Sequence, residues 1–66
     1  MASATEQISG LDLKLLRMAR EVRQMELARH YGTSRQRITR LEAERRPTLA
    51  AVQRYMAALD AAASGR

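Results

Sequence analysis

The sequence predicts an all-α domain, a compact bundle of four to five short helices. Three observations carry that expectation. Apolar residues recur at three- and four-residue intervals, and no segment alternates in the manner of a half-buried strand. β-Branched residues are few, and Phe and Trp are absent. The periodic stretches, interrupted by Gly32 and Pro47 among others, give four helices of roughly 8–14 residues with short connections.

The elements follow in order. Residues 1–10, MASATEQISG, are small and polar without periodicity, and read as a flexible N-terminal arm. The first helix is expected from Leu11 or Asp12 to Arg20 or Glu21. Leu13, Leu16, Arg17 and Arg20 share one of its faces, at i, i+3, i+4 and i+7. An Arg on an apolar face needs a partner. The second helix runs from Gln24 to Tyr31, burying Leu27 and Ala28, with Tyr31 closing its end. Gly32 stops it, because Gly adopts positive φ without steric cost. The third helix spans 34–42. Ser34 can cap it, Ile38 and Leu41 point inward, and Glu42 lies beside them. Residues 43–47 form a loop ended by Pro47. The fourth helix begins there, with Thr48 near its start. Its stripe is Leu49, Val52, Tyr55, Met56 and Leu59, and it continues through 61–63 until Ser64 and Gly65 end it. One domain over 11–63 results, with 64–66 as a tail.

Bulk properties bound the function. Sixty-six residues hold one small core. There is no Cys and one His, His30, which excludes a disulfide framework and a Cys/His zinc site. No metal or cofactor is expected. No apolar run reaches the length of a membrane span, and the N-terminus lacks the pattern of a secretory signal, so the expected location is cytoplasmic. Net charge is +5, and its placement is informative. Residues 17–46 carry nine Arg against four Glu, whereas residues 1–16 sum to −1 and residues 47–66 to +1. A basic stripe on a compact domain is the electrostatic footprint of a nucleic-acid binder. It also arises from a composition rich in Arg, since eleven of the twelve basic residues are Arg. Charge alone does not choose between these.

The motif does. Residues 24–42, QMELARHYGTSRQRITRLE, read as helix, short Gly turn, helix: the helix-turn-helix signature. Arg35, Gln36, Arg37 and Arg40 lie on the second helix of the pair, and these side chains suit base edges and phosphates. Gln36 and Arg40 fall opposite Ile38 on the helical wheel.

A wider pattern surrounds the motif. Leu13, Leu16-Arg17, Val22, Gln24, Glu26-Leu27-Ala28, Gly32, Ser34, Ile38, Leu41-Glu42, Pro47, Leu49, Val52 and Leu59 stand in a familiar order and spacing. Over about residues 11–60 the chain resembles the Cro/C1-type helix-turn-helix family of phage repressors and bacterial regulators, the lambda repressor-like DNA-binding domains. The resemblance implies a sequence-specific transcriptional regulator, a repressor that reads the major groove of double-stranded DNA as a homodimer on a palindrome. It implies that Arg35, Gln36 and Arg40 read bases. Gln24, Ser34, Arg37, Arg45 and Arg46 would bind phosphates, with Arg23 adding a cation near them. Arg17 and Glu42 align with a partly buried ion pair tying the first helix to the third.

Departures from the family accompany the match. Glu21 stands where Gly usually follows the first helix, so a helical continuation is expected there. Arg23 replaces a Ser or Thr cap, and Asp60 replaces a Gly that often ends the fourth helix. The fifth helix that builds the dimer in many relatives is not completed. The alternative function is an antitoxin: PTLAAVQRYMAALD looks similar to the fourth helix of Hig-type antitoxins, which bind a toxin protein and their own operator. No extension suited to wrapping a toxin is apparent. Enzymatic chemistry is not expected, because His30 stands alone and Glu42 and Glu44 form no acid–base pair around a cleft.

Overall fold

The computed structural model describes residues 8–65. Four helices succeed one another: α1 (Gly10–Ala19), α2 (Gln24–Tyr31), α3 (Arg35–Ala43) and α4 (Leu49–Ser64). No strand occurs among the described residues. This is the all-α architecture that the periodicity predicts. Residues 1–7 of the expected arm lie outside the described residues.

The first helix starts a residue earlier than expected, because Ser9 caps it. Ser9 Oγ accepts the Asp12 N–H at 3.1 Å, and Asp12 Oδ2 accepts the Ser9 N–H at 2.9 Å. This reciprocal box satisfies two N–H groups and sets a carboxylate at the positive end of the helix. Gly10, assigned to the arm from sequence, is buried instead. Its N–H donates to the Glu44 carbonyl at 2.7 Å. A Cβ on it would lie 2.4 Å from Leu41 O and 2.5 Å from Glu42 C. The start of α1 thus meets the end of α3 backbone to backbone, an approach that any side chain would push apart. Gly10→Ala is expected to lower stability by about 1–3 kcal/mol. A thermal melt reads this at roughly 4–8 °C per kcal/mol for a domain of this size. An unchanged melt would show that the contact yields at no cost.

The expected helical continuation through Glu21 does not occur. Glu21 sits at φ +58°, in the left-handed region. Its N–H donates to Met18 O at 3.0 Å, and the Val22 N–H donates to Arg17 O at 3.2 Å. These are the two closing bonds of a left-handed helix stop. For a residue with a Cβ that conformation costs about 1–2 kcal/mol. The turn offsets the cost by burying Val22 and by aiming the Val22 carbonyl at Arg17. At the end of α2, Gly32 takes φ +87° as its type predicts, and Gly32 and Thr33 both donate to Ala28 O.

The core is Leu13, Leu27, Ile38, Tyr55 and Leu59, fully buried, with Val22, Ala28, Leu41, Val52, Ala58 and Ala62 around them. Two expected core residues are outside it. Leu16 is 43 % exposed and Leu49 71 % exposed. Leu13 and Arg17 occupy the covered arc of α1, so Leu16 falls on its flank. Leu49 opens α4 ahead of its first buried residue, Val52. Thr48 caps that helix, its Oγ1 accepting the Ala51 N–H at 3.1 Å. Arg20 also leaves the expected inner face and pairs with Asp60 on the surface, tying α1 to α4. Arg54 lies 4.6 Å above the Tyr31 ring and donates to Tyr31 O at 2.9 Å. That contact satisfies a carbonyl at the end of α2.

Candidate nucleic-acid interface

Two helix beginnings and one helix face make the site. Ser34, in extended backbone, caps α3 by accepting the Arg37 N–H at 3.2 Å. The inward residues of α3 are Ile38, Leu41 and Glu42. The hydrophobic face is therefore narrow, and everything else on α3 faces solvent. Arg35, Gln36, Arg37, Thr39 and Arg40 are all exposed. No ion pair ties Arg35, Arg37 or Arg40 to a carboxylate among the described residues. Arg37 and Arg40 flank a shallow groove of about 330 Å³ shared with Tyr31, Glu44 and Thr48. Arg45 and Arg46 are exposed in the loop between α3 and α4.

The start of α2 stands beside this face. Arg23 is its N-cap residue, and Glu26 Oε1 accepts the Arg23 N–H at 3.0 Å. A guanidinium has donors only, so Arg23 cannot return a capping bond. The departure from Ser or Thr therefore leaves the first N–H groups of α2 without a side-chain cap, next to a cation. Gln24 is half-buried, with its Nε2 donating to Glu42 Oε1 at 3.0 Å. Arg23, Gln24 and Arg35 line one open groove together with Arg17 and Met25.

Behind the face lies a buried polar network. Arg17 is 8 % exposed and Glu42 7 %. Arg17 Nε donates to Glu42 Oε2 at 2.8 Å, Nη2 to Oε1 at 3.3 Å, and Nη1 to the Val22 carbonyl at 2.8 Å. The Tyr55 hydroxyl lies 2.6 Å from Glu42 Oε2 and 3.1 Å from Leu13 O. No buried side-chain polar atom lacks a partner among the described residues. One carboxylate thereby joins α1, α2, α3 and α4. Its wheel position and the resemblance pointed to Arg17. They gave no sign of Tyr55, which reads as an apolar stripe residue until its hydroxyl is placed.

Charge states follow. Burial pushes the Glu42 carboxyl up, but hydrogen bonds from Arg17, Tyr55 and Gln24 and the Arg17 charge outweigh it and hold the group below its usual 4.5. Burial, then Glu42, raise the Tyr55 phenol, so it stays protonated and donates. Burial disfavours the Arg17 cation, and Glu42 more than restores it. A carboxylate with a depressed folded-state pKa contributes stability above its unfolded pKa. That contribution is lost as pH falls through the folded value. Denaturant midpoints are therefore expected to hold from pH 7 to about pH 5 and to fall below about pH 4.5. In Glu42→Gln the midpoints start lower and the acid fall is smaller. An equal acid fall in both proteins would remove Glu42 as its source.

A helix-turn-helix family model of the Cro/C1 type matches residues 13–63. The chain belongs to the Cro/C1-type helix-turn-helix family. The match runs from the core residue Leu13 in α1 almost to the end of α4. The family is one of DNA-binding transcription regulators. No curated protein and no solved structure matches the chain. No helix among the described residues is long and apolar enough to cross a membrane.

Proposed function

We propose that this Cro/C1-type domain is a sequence-specific regulator, a repressor that inserts α3 into the major groove of its operator. The observation that supports it most is the outer face of α3. Arg35, Gln36, Arg37 and Arg40 stand exposed there, without an ion pair among the described residues, beside the start of α2. In this reading Gln36 and Arg40 meet base edges at the centre of the face. Arg is matched to guanine O6 and N7, and Gln to adenine N6 and N7. Arg35, one residue into the helix, reads a base at its edge. Ser34, Arg37, Gln24, Arg23, Arg45 and Arg46 border the face and bind phosphates, with the first N–H groups of α2 contributing. Phosphate contacts position the domain, and affinity falls steeply with salt.

Repression needs no chemistry, since an occupied operator excludes polymerase. Two copies read a palindrome whose half-sites lie about 34–36 Å apart. DNA as ligand puts the protein in the cytoplasm, on the nucleoid. Selection from random duplex DNA, followed by footprinting, tests the proposal. Enrichment of a palindrome with half-sites one helical turn apart is expected. Recovery of unenriched sequence would overturn sequence-specific reading, and a single asymmetric site would overturn the dimer.

A further inference from the structure

We propose that Thr39 is a positioning residue for Gln24, setting its side-chain amide so that an N–H is presented to a DNA phosphate. The inference rests on the DNA-binding reading above. Its starting point is a hydrogen-bond chain leading from the buried ion pair to the surface. Glu42 Oε1 accepts from Gln24 Nε2 at 3.0 Å, and Gln24 Oε1 accepts from Thr39 Oγ1 at 3.4 Å. Thr39 Oγ1 also lies 3.2 Å from the Arg35 carbonyl, one helical turn back.

Each contact constrains the next. The Thr39 hydroxyl has a single proton, shared between the Arg35 carbonyl and Gln24 Oε1, and this keeps the hydroxyl turned toward Gln24. A carboxylate accepts only, so Glu42 requires the amide nitrogen on its side. The hydroxyl offers the amide oxygen, on the other side, its share of that proton. The carboxamide is thus held at both ends. An unlocked Gln would offer a phosphate its oxygen as readily as its nitrogen, and the oxygen is repelled. Held as it is, Gln24 keeps one Nε2–H that no other described residue accepts, beside the uncapped start of α2. Thr39 is exposed and is not one of the core residues, so a change there leaves the core side chains in place.

The test is a double-mutant cycle with Thr39→Val, Thr39→Ser and Gln24→Ala. Binding is measured on the selected duplex and on a scrambled one. The Gln24 side-chain amide signals are followed by NMR in the free protein. Thr39→Val is expected to weaken both duplexes alike, about three- to tenfold, which is the size of one modest hydrogen bond. Thr39→Ser restores binding, and Thr39→Val has no further effect on Gln24→Ala. The Gln24 amide signals shift in Thr39→Val. A changed preference at one base pair, or an undiminished loss in the Gln24→Ala background, would overturn the positioning role. Amide signals unmoved by Thr39→Val would overturn it alone, whereas a wild-type protein that ignores duplex DNA would overturn the DNA reading as well.

Discussion

Arg17→Ala is expected to lower the unfolding free energy by about 3–5 kcal/mol, the range for stripping one partner from a buried ion pair. The geometry places the effect in that range. Arg17 gives three hydrogen bonds, two to Glu42 and one to the Val22 carbonyl. Its loss leaves a buried carboxylate with only the neutral donors Tyr55 and Gln24, and a buried carbonyl with none from Arg17. The carboxylate then takes up a proton nearer neutral pH. A domain of this length has about 3–10 kcal/mol of total stability, so the loss is a large fraction of the whole at 25 °C. The control is Arg20→Ala. Arg20 pairs with Asp60 on the surface, and an exposed pair is worth at most about 1 kcal/mol. Urea melts of the two variants at pH 7 check the contrast. Equal losses would mean that burial does not govern these pairs.

The second large effect concerns binding. Replacing Gln36 and Arg40 together by Ala is expected to cost about 2–6 kcal/mol on the selected operator, one bidentate base contact for each residue. Both side chains are exposed and sit one turn apart on the face opposite Ile38. Neither makes a hydrogen bond within the described protein, so removing them leaves the melt unchanged. Binding to scrambled duplex falls much less, because only one cation is lost. If the two contacts fall on neighbouring base pairs, the losses need not add. Titration by fluorescence anisotropy on both duplexes gives the ratio. A double variant that loses equally on both would make Gln36 and Arg40 phosphate ligands.

The parts of this molecule that follow from a single residue's chemistry were legible in its sequence. Gly32 had to end α2 at positive φ, Ser34 had to precede α3, and Arg17 on an apolar face had to find an acid. The parts that depend on what another element brings were not. Gly10 looks like arm until the Leu41 and Glu42 carbonyls arrive above it. Its signal was nonetheless present, since Ser9-x-x-Asp12 is a capping pattern. Glu21 violates the local preference for Gly, and only the burial of Val22 and the need of Arg17 for a carbonyl explain why the turn forms there. Leu49 has the spacing of a core residue but stands exposed at the start of its helix. Tyr55 and Thr39 were assigned by periodicity or passed over, because a hydroxyl's role depends on an acceptor distant in sequence or on a neighbouring helix. The candidate base-reading residues came from the helical wheel and the family resemblance. The structure adds the network that holds their helix.

Dimethyl sulfate interference on the selected operator reports whether α3 reads the major groove. The reagent methylates guanine N7 in the major groove and adenine N3 in the minor groove. With α3 in the major groove, guanine methylation within each half-site blocks binding. Arg40→Ala is expected to become indifferent to methylation at one guanine per half-site. Interference confined to adenine N3, or a guanine pattern unchanged by Arg40→Ala, would contradict major-groove reading by α3.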